Sequence, residues 1–350
     1  MPVSFKLEDY DYNLPGHLIA KHPARQRDAS RLMVLDRAGR SITHSSFSRL
    51  EEYLRPGDCL VLNNTRVFPA RVKARKATGG AVEFLLLHFP VMQTEGRARA
   101  TALSRSSKPL RSGQKVSCRG ILDISILDIL PENHVEIELA FQGDLKTALS
   151  LCGETPLPPY IKRDEVPSDM EDYQTVYAKE TGSVAAPTAG LHFTQGQLER
   201  IEDMGVVMAW ITLHVGYGTF APVRTPDIRE HKIHAEWVKI PQDTIDKMAA
   251  AKKNGGRIVA VGTTSVRALE ASSSCDGTPR AFEGLCDLYI VPGYEFKVVD
   301  AMITNFHLPR SSLLILVSAF ADRLEVLRAY GEAIKAGYRF YSYGDAMFIV

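Results

Sequence analysis

The chain predicts an α/β protein: a mixed, largely parallel sheet flanked by helices, with an inserted small antiparallel β-barrel domain. Three features predict it. In the C-terminal half, strand-like and helix-like periods alternate, which implies a substantially parallel sheet. From Arg66 to Gln142 helical period is almost absent, and short alternating strands are punctuated by turn residues, as in a small barrel or sandwich. Two earlier runs, "SRLMVLDR" and "GDCLVLNN", read as strands of the same sheet as the C-terminal half. The expected organisation is therefore 1–65 and 153–350 as two parts of one α/β catalytic domain, with 66–152 inserted as the barrel.

The barrel strands are "ARVKARKA", a "TGG" turn, "AVEFLLLHF", "RARATALS", "QKVSCRG", "ILDISILDIL" and "HVEIELAF", and the helix "DLKTALSL" closes the segment. Downstream, Thr194 with Gln197 fits a capping box at the start of "QGQLERIEDM", and Gly205 sits where a C-terminal cap belongs. The strand "VVMAWITLHV", the helix "DTIDKMAAAKK", the strand "RIVAVG" and the helix "SVRALEAS" follow. Strands "CDLYIVP" and "RFYSYGDAMFIV" then bracket a helical stretch from about Ser311 to Lys335.

Composition narrows the class. The 350 residues are 45% apolar and 24% charged, with a formal net charge of +1, as expected of a soluble globular protein with a sizeable core. Five scattered cysteines with no C-x-x-C pair argue for a reducing compartment and against a disulfide framework or zinc knuckle. The N-terminus lacks the apolar core of a signal peptide, and "LLILVSAFA" is about half the length of a membrane span. A cytoplasmic protein with no membrane association is expected. No coiled coil or isolated apolar helix face advertises an oligomer interface.

Charge is unevenly placed. Between Arg66 and Arg119 stand twelve Lys/Arg against only Glu83 and Glu95, whereas Gly120 to Gly143 carries five acids and no Lys/Arg. A near-neutral protein can thus present one strongly basic face, serving either nucleic-acid phosphates or solubility.

Five of the ten histidines fall at or after His192, in "AGLHFT", "TLHVGYGTFAPV", "HKIHAEW" and "ITNFHLPRSS". Such loops converge at the carboxyl ends of strands in α/β sheets, and histidine is the commonest proton carrier near neutral pH. Each ring singly is equally explained as a satisfied core hydrogen-bonder. "GYGTFA" matches a dinucleotide-binding glycine pattern, but Pro222 and Pro226 replace the helix that would hold a pyrophosphate. "GTTSVRALE" is a better anion site, with hydroxyls at a helix start and Arg267 close behind; an ordinary cap is the alternative. His231 and His234 form an H-x-x-H pair beside Glu236, yet no further ligand has recognisable spacing, so no metal is expected. No G-x-S-x-G elbow occurs.

At these residues the sequence resembles the S-adenosylmethionine:tRNA ribosyltransferase-isomerase family of queuosine biosynthesis. The segments that carry the resemblance include "DYNLPGHLIAKHPARQRDASRLMVLDR", "LRPGDCLVLNNTRVFPARV", "YQTVYAKETGSVAAPTAGLHFT", "TLHVGYGTFAPVR", "VAVGTTSVRALE" and "PGYEFKVVDAMITNFHLPRSSLLILVSAFA". It spans nearly the whole chain in the family's order. Asn64 stands where an acid is usual, and Cys286 and Ala301 where Thr and Gly are common.

The resemblance implies an α/β domain with an inserted barrel. It also implies transfer and isomerisation of the ribosyl part of S-adenosylmethionine onto a 7-aminomethyl-7-deazaguanine at the tRNA wobble position. Epoxyqueuosine-tRNA, adenine and methionine are the implied products. S-adenosylmethionine is then a consumed co-substrate, with no cofactor, metal or obligate protein partner. Such chemistry needs a base near the ribose C5′, hydrogen bonds for departing adenine, and a dry pocket. The charge-free "SVAAPTAGLHFT" would wall that pocket, with His192 as candidate base, His214 and His307 as alternatives, and Asp345 as a pairing acid. Candidate substrate contacts are Thr188, Phe193, Gly216, Tyr217, Gly218, Thr219, Phe220, Asn305 and Phe306, the rings attracting the sulfonium or serving as core. Thr263, Thr264, Ser265 and Arg267 would hold the methionine carboxylate or a tRNA phosphate. Arg66, Arg71, Lys73, Arg75 and Lys76 become the candidate tRNA contacts. Two rivals remain: an α/β enzyme using histidine chemistry on a small metabolite, and a non-catalytic RNA-binding module.

Overall fold

The computed structural model describes residues 3–158, 160, 161, 163, 165–220, 222–274 and 277–350, the side chain of Phe220 excepted. The chain divides into two compact units. One comprises Met1–Thr65, Thr175–Lys179 and Pro187–Val350; the other comprises Arg66–Gln174 and Glu180–Ala186.

Among the described residues, the first unit carries a nine-stranded mixed sheet. Its centre is four adjacent parallel strands, Val207–Leu213, Cys59–Asn63, Ile258–Val261 and Ala301–Asn305. Ala346–Ile349 and Arg31–Asp36 follow, parallel to each other and reversed relative to the four, and Ser41–Ser46 forms one edge. Glu236–Ile240 and Phe282–Cys286 extend the other edge antiparallel. "CLVLN" and "IVAV" are buried at every residue, as strands covered on both faces must be. The Gln242–Lys253 helix packs on Val207–Leu213, and the Thr263–Ala271 helix packs on Ile258–Val261. Leu32, Phe47, Leu60, Phe193, Ile303 and Phe348 belong to one buried cluster.

The structure departs from the sequence reading in places. The helical stretch beginning at Ser311 is two helices, Ser312–Ala321 and Arg323–Lys335, broken at Asp322. That residue has φ +67° and its side chain caps the Leu324 N–H. "CDLYIVP" is not a strand: the ladder ends at Cys286, and the Leu288 carbonyl accepts from Arg267 instead. Of "RFYSYGDAMFIV" only Ala346–Ile349 is strand.

The second unit holds a closed six-stranded antiparallel barrel. Arg71–Lys76, Ala81–Leu86, Arg97–Ser106, His134–Phe141, Leu122–Ile129 and Lys115–Cys118 pair in turn, and the last pairs back to the first. Val135, Ile137, Leu139 and Phe141 point inward on alternate positions of one strand. The short Val91–Thr94 strand pairs outside the ring and is exposed throughout. The Leu145–Cys152 helix is capped by Asp144. Val67 N–H donates to Gln174 Oε1 at 3.0 Å and Gln174 Nε2 donates back to the Val67 carbonyl at 2.8 Å, joining the two ends of this excursion.

Buried Asp58 shows how the parallel strands are anchored at their amino ends. It accepts from the backbone N–H of Arg55 and Arg257 and from the Arg257 guanidinium at 2.6 Å. Burial alone would raise its pKa, but the Arg257 bonds outweigh burial and hold the carboxyl below its ordinary range. A depressed pKa stabilises the fold above the unfolded value of about 3.9, and that contribution is lost as pH falls through the folded value. Asp58→Asn is expected to cost about 3 kcal/mol at neutral pH, read from urea unfolding, and to lessen the acid-induced loss below about pH 4. An unchanged unfolding midpoint would contradict this anchor.

Candidate active site at the carboxyl edge of the sheet

The four central strands end at one edge, where α/β sheets bind ligands. Val207–Leu213 delivers His214, Cys59–Asn63 delivers Thr65, Ile258–Val261 delivers Gly262 and the following helix, and Ala301–Asn305 delivers Asn305 to His307. The two outermost of these strands are three positions apart, roughly 15 Å. Two polar clusters form along this edge.

The first centres on His192, only 4% exposed, at the end of the turn Thr188–His192. Thr188 donates to Asn305 Oδ1 at 3.0 Å, which directs Asn305 Nδ2 toward His192 Nε2, also at 3.0 Å. Nε2 is then the acceptor, and Nδ1 carries the proton toward Ser30 Oγ at 2.8 Å. Ser30 in turn donates to the Arg27 carbonyl, and Asn305 Nδ2 also donates to the Tyr341 carbonyl. The circuit is complete with a neutral ring. Burial pushes the His192 pKa down to about 4, opposed in part by nearby Asp345. The turn packs tightly: a Cβ on Gly190 would stand 2.0 Å from Tyr177 Oη. Small residues in "PTAGLH" follow from that contact.

His307 lies two residues beyond Asn305, is 5% exposed, and has Nε2 2.9 Å from Thr304 Oγ1. Burial lowers its pKa to about 3. Its N–H donates to Tyr330 Oη, and its carbonyl accepts from Tyr12.

The second cluster holds His214, which is half-buried and stacked on Trp237 with ring centroids 4.9 Å apart. Thr65 Oγ1 lies 2.8 Å from its Nδ1. Buried Asn63 ties the two loops together: Oδ1 accepts from Thr65 and Leu213 N–H, and Nδ2 donates to the Leu213 carbonyl. Beside them, Glu236 Oε1 accepts from Gly216 N–H at 2.9 Å and Thr219 Oγ1 at 2.7 Å. Its Oε2 accepts from Arg267 Nη1 at 2.6 Å, both side chains being 3% exposed. The glycine turn is thus fixed by a buried ion pair. Gly218 allows the close approach of the His234 ring, since a Cβ would meet Cδ2 at 2.2 Å.

Other candidates fall elsewhere. Arg267 donates from Nη1 to Glu236 and from Nε to the Leu288 carbonyl, while its buried Nη2 has no hydrogen-bond partner among the described residues. Ser265 donates to the Val261 carbonyl; Thr263 and Thr264 are buried at the helix start. Asp345 is buried and clamps the backbone N–H of Arg31 and Arg339, with both guanidiniums near it. Phe193 and Phe306 are fully buried, against Phe47 and against Tyr330, Tyr338 and Phe340, so these rings are core rather than a cation cage. Tyr217 is half-buried in the glycine turn, and the Phe220 side chain lies outside the described residues. Glu236 being spent on the turn, the H-x-x-H pair lacks its neighbouring acid.

On the barrel, Arg71 is bound bidentate by Glu83, and Lys73 is 2.7 Å from Glu154. Arg66 is exposed. Arg75 donates to the Gly79 carbonyl and Lys76 to the Lys108 carbonyl. Arg105, Lys108, Arg111 and Lys115 are exposed, with no acidic partner among the described residues. The uncompensated charge therefore lies further along the barrel than Arg71 and Lys73.

Ser30, Asn63, Thr65, Glu236 and Trp237 are site residues that sequence reasoning missed. Each acts across a long separation, such as the 162 residues between Ser30 and His192. The one available signal was the acid next to an H-x-x-H pair, read only as a metal ligand.

The profile of a family described as queuosine biosynthesis protein matches residues 7–349. An S-adenosylmethionine:tRNA ribosyltransferase-isomerase of Aquifex aeolicus (strain VF5) is 49% identical over 345 residues, 99% of this chain and 100% of the relative. One of Desulfotalea psychrophila (strain LSv54 / DSM 12343) is 47% identical over 355 residues, 100% of this chain and 99% of the relative. The crystal structure of S-adenosylmethionine tRNA ribosyltransferase from Thermotoga maritima matches with a TM-score of 0.55 and 37% identity. That match covers 98% of this chain and 100% of that one.

The two buried rings have a pH consequence. Both are neutral when folded and titrate near 6.5 when unfolded, so the unfolded state binds more protons as pH falls from about 6.5 toward 4. Each ring therefore removes up to about 2 kcal/mol of stability between pH 6.5 and 5. His192→Asn with His307→Asn should flatten that acid limb in urea unfolding; equal pH slopes for variant and parent would refute buried neutral rings.

Proposed function

The chain belongs to the queuosine biosynthesis protein family, and we propose that it acts as an S-adenosylmethionine:tRNA ribosyltransferase-isomerase. In this reading it transfers and isomerises the ribosyl moiety onto a 7-aminomethyl-7-deazaguanine at the tRNA wobble position. Epoxyqueuosine-tRNA forms, and adenine and methionine leave. S-adenosylmethionine is consumed, no further cofactor takes part, and the enzyme works in the cytoplasm. The observation that carries this reading is that His192, His307, His214 and the Glu236-held glycine turn lie, as two clusters, along one edge of the sheet.

The chemistry divides the histidines. A sulfonium acidifies the C5′ protons, and the enzyme needs an acceptor for one of them. His192 and His307 are buried, with their rings turned to Ser30, Asn305 and Thr304, and they serve as neutral walls that exclude water. His214 is the least buried of the three rings, oriented by Thr65 and Trp237, and takes the base role. Tyr217 supplies the ring that attracts the sulfonium, a contact worth about 0.5–2 kcal/mol. The N–H groups opening the Thr263–Ala271 helix suit the methionine carboxylate. Arg75, Lys76, Arg105, Lys108, Arg111 and Lys115 supply phosphate contacts to tRNA.

Two outcomes are expected in an adenine-release assay. Release requires tRNA bearing the aminomethyl-deazaguanine, and His214→Ala lowers kcat at least about 100-fold while S-adenosylmethionine binding by calorimetry persists. Release that ignores the tRNA would sink the function. Near-parental kcat in His214→Ala would sink the base assignment alone.

A further inference from the structure

The glycine turn continues through Pro222 and Val223 into a separate feature of the α/β unit. This is a cleft of about 790 Å³ walled by Val3–Glu8, by part of the segment from Arg224 to Arg229, and by Arg310. Its walls are held by backbone bonds: Leu7 N–H to the Pro226 carbonyl and Ile228 N–H to the Phe5 carbonyl, each 2.9 Å. Val223 N–H donates to the Arg310 carbonyl, and Pro222 bridges to Ser311. The cleft is thus built between the continuations of the two site loops, and Arg310 stands three residues past His307, at most roughly 10 Å of chain.

Four cations line it, Lys6, Arg224, Arg229 and Arg310, against Glu8 and Asp227. Arg229 is fixed by Asp227 at 2.6 Å and lies over the Phe5 ring at 4.2 Å, while Arg310 is fixed by Asp11. Arg224 is exposed and has no acidic partner among the described residues. Orienting carboxylates, an arginine on an aromatic face and an uncommitted guanidinium together suit phosphodiesters of a single strand. We propose that this cleft holds the backbone phosphates of the single-stranded RNA loop that presents the base to the site, with Arg224 as a direct phosphate contact. This rests on the tRNA reading above. The volume exceeds that of one phosphate, and the position beside both site loops favours a continuous strand over a free anion.

The test measures binding of a labelled anticodon stem-loop RNA by fluorescence anisotropy across salt concentrations, using the full chain. Arg224→Ala should weaken binding roughly threefold and Arg224→Glu roughly tenfold, with the salt slope reduced by about one. S-adenosylmethionine affinity and the urea midpoint should be unchanged in both. Parental affinity and slope in Arg224→Glu would overturn the inference and leave the tRNA reading standing. If the parent itself bound no stem-loop RNA, the tRNA reading would fall and this inference with it. Saturable binding of inorganic phosphate lost in Arg224→Glu, with RNA binding intact, would mark a free-anion site and overturn the inference too.

Discussion

Glu236 loses its water at the edge of the sheet, and its two oxygens are taken by groups from two other segments. Gly216 and Thr219 of the glycine turn share one oxygen, and Arg267 of the helix behind takes the other. A buried carboxylate is tolerated only when so compensated, and removing one partner leaves an uncompensated charge costing several kcal/mol. The turn, the Thr263–Ala271 helix and the antiparallel strand that carries Glu236 and Trp237 are therefore held as one body. Trp237, next in the chain to Glu236, stacks on His214, so the orientation of that ring depends on the same pair.

The other end of the edge solves its polar burden without net charge. His192, Asn305, Thr188 and Ser30 pass hydrogen bonds in one direction, with backbone carbonyls of Arg27 and Tyr341 as the final acceptors. A circuit of this kind is indifferent to a single apolar neighbour but intolerant of a proton, because protonated Nε2 would face the Asn305 amide hydrogens. The two ends thus offer different environments on a single platform, one charged and pinned, one neutral and dry.

What could be read from the sequence follows the reach of each interaction. Strand alternation in "HVEIELAF" and the buried run "CLVLN" are set by near neighbours, and both gave strands. "SITHSS" has no apolar face to betray it, because an edge strand is held by its backbone pairing with Arg31–Asp36. The surplus of basic residues was legible, but its compensation was not: Glu83 and Glu154 reach Arg71 and Lys73 only once the barrel strands are in register. The histidine loops were found by their small residues, whereas Glu236, Asn63 and Ser30 bond to partners that no local period marks. Phe193 and Phe306 show the converse: an aromatic beside a histidine looks like a ligand platform until the core is seen to need it.

The reciprocal bonds of Val67 and Gln174 join positions 107 residues apart. Once the barrel has closed on its own hydrogen bonds, that excursion behaves as a short tether. The Cys59–Asn63 and Val207–Leu213 strands must find each other across it, and the loop-closure entropy of their search shrinks with the effective length. Early assembly of the barrel would then accelerate pairing of the host sheet without a single added contact there.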